Sequence, residues 1–358
     1  MPEKQRSSNL EMLRIFAMYL IVLHHACVHG ALNSNFELLT QNCTVIANVL
    51  SMGGKLGVIL FVMITGYFMI TSRFKFKSFL KVLLPTFFYG IAIIVLFYLF
   101  DPADITSEQA IKSLLLNSSG GLPWFVVAYL GMYLFIPFIN RLANGLTRNQ
   151  YRKLLLIGAV CFSVIPTAFN LSFISSSFAW FVYLYFLAGY LRLYDVSFSK
   201  GRLVAIIAIP LIAVAALTVL LTITPSATEA LNIGARYFAG NYSLFLLIAA
   251  IGIFIAFAKW DLGYSRFVNS VASTTFGIYL IHDNSIVRSW LWSHLIPPLL
   301  SLRACLLVPA LIGLALGVFA VCALIDYVRQ LVVRVIPCDG PRKRLKPVYA
   351  RIDAWFNE

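Results

Sequence analysis

Charged residues are scarce in this chain. Only 12% of its 358 residues are Asp, Glu, Lys or Arg, whereas 60% are hydrophobic. Soluble domains carry about 25% charged residues, so this deficit excludes an ordinary water-soluble domain. Since no polar stretch is long enough to fold separately, we predict a single domain over residues 1–358.

Several motifs of soluble enzymes are also absent. The chain has no phosphate-binding GxxxxGK[ST] loop, no HExxH, no GxSxG and no GxGxxG after a strand. Its six cysteines are scattered without a CxxC pair, which excludes the spacing of a zinc site or a disulfide framework. The sequence contains no other cluster with metal-ligand spacing, so we expect neither a bound metal nor a permanently bound cofactor.

The chain instead contains apolar runs close to 20 residues long, the length of helix that crosses a hydrocarbon core of about 30 Å. The runs cover residues 10–29, 49–70, 82–100, 121–140, 154–170, 177–194, 203–223, 240–258, 267–286 and 304–326. They predict an all-α, polytopic integral membrane protein with about ten transmembrane helices. The first run contains Arg14 and is followed by no small-residue cleavage site, so we interpret it as a retained helix rather than a signal peptide.

The distribution of positive charge fits this architecture. The net charge is +14, but the basic residues lie in short segments between apolar runs, which does not favour nucleic acid as a partner. With the N-terminus inside, the lysines and arginines left on the outer side are Lys55, Lys112, Arg236, Arg288 and Arg303. This bias follows the positive-inside rule and predicts both termini in the cytoplasm, with residues 336–358 as a basic cytoplasmic tail.

The first apolar run carries an unusual set of ionisable groups. Arg14 and His25 are 11 residues apart, which places them about 20° from the same helix face and roughly 16 Å apart along the axis. Glu11 lies on the same stripe, about 40° from His25. Charges at this depth usually face a cavity or a partner. The alternative is that Glu11 and Arg14 only pair near the interface and that His25 is a satisfied core histidine. His24 and His29 are more typical of structural or interfacial histidines.

Two further segments have both a plain and a functional interpretation. The basic segment from Arg73 to Lys81 lies between the second and third runs, where it could set topology, contact anionic lipid or bind a phosphorylated ligand through Lys77 and Lys81. Trp124 and Tyr129 begin the fourth run and are typical of an aromatic interface belt. The outer end of the ninth run carries His282 and Asp283, which indicate little on their own.

These residues resemble the acyltransferase family 3 membrane proteins from about residue 8 to residue 335. The resemblance starts with Arg14 and, after ten intervening residues, His25. Further segments occur in the family's order: Ser8-Asn-Leu-Glu-Met-Leu-Arg14, Gly53-Gly-Lys-Leu-Gly-Val-Ile-Leu-Phe61, Thr65-Gly-Tyr67, Leu122-Pro-Trp-Phe125 and Phe276-Gly-Ile-Tyr-Leu-Ile-His282. Family members often have an Arg-containing motif between helices two and three, whereas this chain offers Lys77 and Lys81 there, with Arg73 upstream.

The resemblance implies an O-acyltransferase. Members move an acyl group, usually acetyl, from a cytoplasmic donor such as acetyl-CoA to a hydroxyl of a glycan or other envelope molecule. It therefore implies acyl-CoA as donor substrate, a glycan or lipid-linked sugar as acceptor, and a multi-pass location in the plasma (inner) membrane. The opening segments look most like members encoded with bacterial capsule or exopolysaccharide systems, which implies a bacterial source. The oligomeric state is not implied.

The chemistry of these side chains suggests a role for each of them in acyl transfer. Transfer to a hydroxyl needs a base with a pKa near neutrality, and we expect His25 to serve as that general base, with Arg14 as the second catalytic candidate. A covalent acyl-His relay is an open alternative. We expect the acyl-CoA headgroup to dock at Arg14, Arg73, Lys77 and Lys81. The substrate-binding candidates are Glu11, Lys55, Trp124, Tyr129 and His282.

Two functions of other classes are compatible with the same composition. A transporter or flippase for a small molecule or lipid-linked sugar would also use many helices and buried charges, but it would leave its substrate and CoA unchanged. A non-catalytic membrane subunit or sensor would not need His25.

Overall fold

A computed structural model describes residues 8–33, 40–100, 123–171, 176–335 and 339–358. Every regular element in these ranges is a helix, and no strand occurs in them. The prediction of an all-α chain is therefore confirmed. Lys112, Leu122 and Cys338, which entered the sequence argument, lie outside the described residues.

The helices follow one another through short connections. In the first half they are α1 Ser8–His25, which continues as a π-helix Ala26–Ala31, α2 Gln41–Ser51, α3 Gly53–Met69, α4 Phe76–Phe100, α5 Trp124–Gly145, α6 Arg148–Ala159, a second π-helix Val160–Val164 and α7 Ile165–Phe169. In the second half they are α8 Ser177–Leu193, α9 Lys200–Ile223, α10 Pro225–Leu231, a 3₁₀ turn Tyr237–Ala239, α11 Leu244–Lys259, α12 Arg266–His282, α13 Ser285–Leu295, α14 Pro297–Leu300, α15 Ala304–Val335 and α16 Asp339–Asn357.

Each of the ten predicted runs is helical over most of its described residues. In the described ranges, eight helical segments are long and apolar enough to cross a membrane. The other two predicted runs correspond to α8 and α12, which have 17 residues each. Both pack among other helices, α8 against α3 and α5, and α12 against α1 and α15. The prediction of a polytopic membrane protein is confirmed.

Helix α1 lies at the centre of the bundle. It contacts α3, α11, α12 and α15, and Leu13, Ala17 and Val22 on it are fully buried. In contrast, α4 and α9 expose large apolar side chains such as Ile91 and Ile209, as expected for helices that face lipid. The polar groups of α1 are therefore surrounded by protein rather than by lipid.

Glycines let α3 approach α1 closely. A Cβ atom added at Gly57 would lie 2.5 Å from the carbonyl oxygen of Ala17, and one added at Gly54 would overlap the ring of His24. Small residues at such crossings allow close backbone packing in membranes, where no hydrophobic driving force holds helices together. The Gly53-Gly-Lys-Leu-Gly57 segment thus fixes the distance between the helices that carry His25 and Lys55.

We expect Gly57→Val to destabilise the protein by about 1–3 kcal/mol, because the new side chain meets backbone that cannot move aside. Thermal unfolding of the purified protein in detergent measures the effect. Gly313→Val is the matched control: Gly313 is exposed on α15, a Cβ there meets no atom within 4 Å, and we expect a change within about 0.5 kcal/mol. Equal unfolding midpoints for both variants would contradict this packing.

Segments predicted on the cytoplasmic side gather at one end of the bundle. Asn9 at the start of α1 donates to the carbonyl of Phe257 at 2.7 Å, and Ser8 Oγ lies 3.2 Å from Oδ1 of Asn269. Lys259 pairs with Asp195 at 3.3 Å. Loops predicted on the opposite side meet at the other end, where α2 contacts α9. These contacts match the topology predicted from the distribution of Lys and Arg, in which successive loops alternate between the two sides of the membrane.

The C-terminal segment is an ordered helix rather than a free tail. The Asp353 carboxylate on α16 accepts from the backbone N–H of Phe76 at 2.6 Å, and Phe356 stacks on Phe74 with ring centroids 4.1 Å apart. Asp353 thereby caps the N-terminus of α4, which begins six residues before the predicted run. Lys77 and Lys81 consequently belong to the first turns of α4, not to a loop.

One buried carboxylate has a structural explanation. Asp326 on α15 is 1% exposed and accepts from the Tyr89 hydroxyl, the Arg329 guanidinium and the Gln330 amide, each at 2.7 Å. A buried charge is tolerated in a membrane when it is paired in this way. This network joins α4 to α15 and gives both carboxylate oxygens of Asp326 a partner.

Candidate active site

His25 occupies the last position of the α-helical part of α1, directly before the π-helix Ala26–Ala31. Single turns of π-helix occur frequently at functional sites, because the wider turn displaces backbone and side chains from regular α-helical positions. The His25 side chain is 12% exposed. It is therefore held inside the bundle, about three quarters of the way along the 24-residue helical span Ser8–Ala31.

A second histidine fixes the orientation of the His25 ring. Nδ1 of His25 lies 2.9 Å from Nε2 of His282, and Nδ1 of His282 lies 2.6 Å from the carbonyl oxygen of Ile278. A carbonyl can only accept, so the proton of neutral His282 is on Nδ1 and its Nε2 accepts from His25. His25 then carries its proton on Nδ1, which leaves Nε2 with a free lone pair.

A carboxylate and a guanidinium lie behind this pair. Oδ1 of Asp283 is 3.6 Å from Nδ1 of His25, and Nη1 of Arg288 is 3.2 Å from the same oxygen. At 3.6 Å Asp283 is too far for a hydrogen bond, so His282 remains the acceptor for His25. Its negative charge is nevertheless close enough to stabilise an imidazolium if His25 gains a proton.

His25 lines a narrow cavity of about 40 Å³ between α1, α3, α5 and α12. Its polar lining side chains are His24, His25, Lys55 and Tyr279, and its aromatic ones are Phe61, Trp124, Phe125 and Phe276. Since Nδ1 of His25 is bonded to His282, Nε2 is the atom left for a molecule in the cavity. The cavity thus combines a ring nitrogen that has a lone pair with largely apolar walls.

Lys55 supplies the positive charge of this cavity. Its Nζ lies 5.6 Å from the ring centroid of Trp124, and in the described part of the chain it forms no ion pair. The adjacent ring of His24 has a partner, because Nδ1 of His24 donates to the carbonyl of Ser51 at 2.5 Å. Lys55 and Trp124, two predicted substrate-binding residues, are therefore brought to His25.

Arg14 and Glu11 lie near the N-terminal end of α1, which is the end predicted to face the cytoplasm. Nη1 of Arg14 is 2.5 Å from Oε2 of Glu11, and both side chains are largely buried, at 24% and 6% exposure. The simple pairing considered for Glu11 and Arg14 is thus observed. Tyr129, another predicted substrate-binding residue, has its hydroxyl 3.2 Å from that of Thr65.

The remaining predicted residues lie apart from the cavity. Arg73, Lys77 and Lys81 are exposed at the inner end of the bundle and form no ion pair in the described ranges. His282 is 0% exposed and has both ring nitrogens bonded, so the structure places it behind His25 rather than against a substrate.

Comparison with known proteins assigns the chain to a family. The family model for the acyltransferase domain, type 3, matches residues 7–327. The chain belongs to acyltransferase family 3. No curated protein and no solved structure gave a match. The matched range covers Arg14, His25, Lys55 and His282, so the family assignment and the cavity concern the same part of the chain.

The structure also brings together a cluster of three possible metal ligands that the sequence did not suggest. Ligand atoms of His25, His29 and Asp283 lie within 4.8 Å of one another and could hold a metal ion. However, Arg288 already pairs with the Asp283 carboxylate, and a guanidinium beside that carboxylate opposes a second cation. The donors fit an internal hydrogen-bonded network better than a metal.

Asp283 and Arg288 were not among the predicted site residues of this acyltransferase. Asp283 follows His282 in the sequence, and a carboxylate next to a buried histidine is the signal that could have indicated it. In the sequence, Arg288 was noted only as one of the basic residues on the outer side, which served to predict the topology. Their role becomes visible only when α12 packs against α1 and α13 packs against the π-helix Ala26–Ala31.

Proposed function

We propose that this acyltransferase moves an acyl group, acetyl in the first instance, from cytoplasmic acyl-CoA to a hydroxyl of a cell-envelope or secreted glycan. The observation that carries the proposal is the His25–His282 pair, which leaves Nε2 of His25 unprotonated in a cavity that also contains an ammonium group. A base and a positive charge are the two groups that acyl transfer to a hydroxyl needs.

The proposed reaction balances with the residues at hand. The acceptor hydroxyl gives its proton to Nε2 of His25, and its oxygen attacks the thioester carbonyl. The ammonium of Lys55 stabilises the negative charge on the carbonyl oxygen, and Asp283 stabilises the imidazolium. When the intermediate collapses, the C–S bond breaks and CoA leaves as a thiol with the proton from His25. In the alternative relay, Nε2 attacks the thioester first and an acyl-imidazole then transfers the group.

The donor enters from the inner end in this proposal. The CoA phosphates would meet the exposed cations Arg73, Lys77 and Lys81 and the guanidinium of Arg14. From Arg14 the acyl-pantetheine arm extends along α1 to His25, a distance of roughly 16 Å. The narrow cavity favours a slender chain over a sugar ring. Since the proposed acceptor belongs to the cell envelope, we also propose that the enzyme lies in the plasma (inner) membrane of a bacterium.

The experiment that tests this function uses membranes from cells that express the chain. Acetyl-CoA labelled on the acetyl group is added, and the label is followed into glycan and lipid-linked glycan. We expect labelled ester, released by mild base, together with free CoA. A transporter, the second candidate function, would move glycan unlabelled and leave acetyl-CoA intact, and that result would reject the proposal.

Lys55 provides a further prediction. We expect Lys55→Met to lower kcat by about 100-fold, because a donor that stabilises the developing oxyanion is lost, while Lys55→Arg keeps part of the activity. Lys200→Met, which removes an exposed lysine at the start of α9, is the control and should leave kcat unchanged. Steady-state CoA release by the purified enzyme measures both. A rise in KM alone for Lys55→Met would assign Lys55 to substrate binding instead.

A further inference from the structure

A second, larger cavity lies at the outer end of the bundle. Its volume is about 560 Å³, within the range of roughly 300–1,000 Å³ that small-molecule sites occupy. It is formed by the outer ends of α2 and α7 and by residues 234–243. The polar side chains that matter here are Asn48, Asn170, Arg236, Tyr237, Asn241 and Tyr242. Amides together with aromatic hydroxyls provide the hydrogen bonds and flat surfaces that a sugar ring uses.

The charge of this cavity has one sign. Arg236 is the basic residue among its lining residues, and no Asp or Glu lines it in the described part of the chain. The guanidinium of Arg236 is half-buried, and within the described ranges it has neither a hydrogen bond nor an ion pair. Guanidinium groups bind carboxylates through two parallel hydrogen bonds, and an unneutralised one in a polar cavity favours an anionic ligand.

The outer cavity lies next to the segments that position the active site. Leu32, which lines it, directly follows the π-helix Ala26–Ala31 that continues from His25. Asn48 lines it from α2, whose last residue, Ser51, is bonded through its carbonyl to the His24 ring. The backbone of both segments thus runs from the active site to the outer cavity.

The walls of the outer cavity are fixed by hydrogen bonds. Ser163 Oγ donates to the carbonyl of Tyr242 at 2.8 Å, and the backbone N–H of Leu244 donates to Oγ1 of Thr167 at 3.0 Å. The Tyr237 hydroxyl donates to the carbonyl of Pro166. These bonds join the α7 side of the cavity to the 234–243 side. The cavity is thus preformed rather than opened by a ligand.

We propose that the outer cavity is the acceptor site and that it selects an acidic sugar, whose carboxylate pairs with Arg236. The proposal rests on the acyltransferase function above and specifies its acceptor. The amide and tyrosine side chains contact the sugar ring, and a hydroxyl of the same or the next sugar reaches His25. Neutral sugars lack the group that Arg236 binds and are poorer acceptors.

The test compares uronic acid oligosaccharides with their carboxyl-reduced, neutral counterparts. Binding to the purified full chain is measured without donor, and transfer is measured with acetyl-CoA. We expect the wild type to bind and use the acidic series at least tenfold better. Arg236→Gln should lose this preference, Arg236→Lys should keep part of it, and Arg303→Gln, which removes an exposed outer arginine, should keep all of it.

The outcomes separate this inference from the proposed function. His25→Ala should bind the acidic series like the wild type but transfer nothing. Binding that depends on Arg236 without any transfer would reject the acyltransferase proposal and retain the acidic-sugar site. Transfer with equal use of both series, or a preference that survives Arg236→Gln, would overturn the site and retain the transferase. Tighter binding of phosphorylated than of carboxylated oligosaccharides would also overturn it.

Discussion

Replacing His25 by alanine is expected to lower the rate of acyl transfer by about 10³-fold or more. General base catalysis contributes roughly 10²–10⁴-fold, and an acyl-His relay would lose its nucleophile altogether, so both versions of the mechanism predict a near-complete loss. The fold should persist, because the His25 ring lines a cavity and its removal enlarges an existing space. The measurement is acceptor-dependent CoA release by the purified protein, with thermal unfolding as a check on folding.

His294→Ala is the matched control for this result. His294 lies on α13, is exposed, and bonds the carbonyl of Trp290 on its own helix. Its removal should change neither the rate nor the unfolding midpoint. If His25→Ala transferred acyl groups at the rate of His294→Ala, neither the general-base nor the relay mechanism could hold, and the sensor or transporter alternatives would regain support.

Replacing His282 by alanine is expected to lower kcat by about 100-fold while KM changes little. His282 does not touch the cavity; it fixes the tautomer and orientation of His25 by accepting from Nδ1 at 2.9 Å. Loss of the group that orients a catalytic histidine lowers turnover even when the histidine remains. His282→Gln should retain part of the activity, because the amide oxygen can accept the same proton. Steady-state kinetics of the two variants measure these effects.

A double-mutant comparison separates this positioning role from a structural one. If His282 acts only through His25, the double variant His25→Ala, His282→Ala should be no slower than His25→Ala alone. Additive losses in rate, or a fall in the unfolding midpoint that accounts for the loss in His282→Ala, would contradict the positioning role.

The helical architecture was predictable because lipid imposes it. Backbone groups in hydrocarbon must bond within their own segment, so each apolar run of adequate length becomes a helix. The ends were less predictable, since they depend on contacts from elsewhere in the chain. Helix α4 begins at Phe76 because Asp353, 277 residues away, accepts from its backbone N–H. No local pattern contains that information.

The site was predictable only in part for the same reason. Arg14 and His25 stood out because ionisable groups inside an apolar run are costly and need a cause. Lys55 and Trp124 meet His25 in one cavity, but the role of His282 depends on a contact across 257 residues. Arg236 looked like an ordinary outer-loop cation, and its place in the wall of the outer cavity follows from packing alone.

The most direct measurement uses proteoliposomes with the cytoplasmic end of the protein facing the lumen. Labelled acetyl-CoA is enclosed inside, and a glycan acceptor is supplied only outside. A single chain that connects an inner donor path to an outer acceptor site through His25 should place labelled ester on the external glycan while CoA stays inside, and His25→Ala should place none. Label that reaches the glycan only when both substrates share one side, or equal labelling by His25→Ala, would contradict this mechanism.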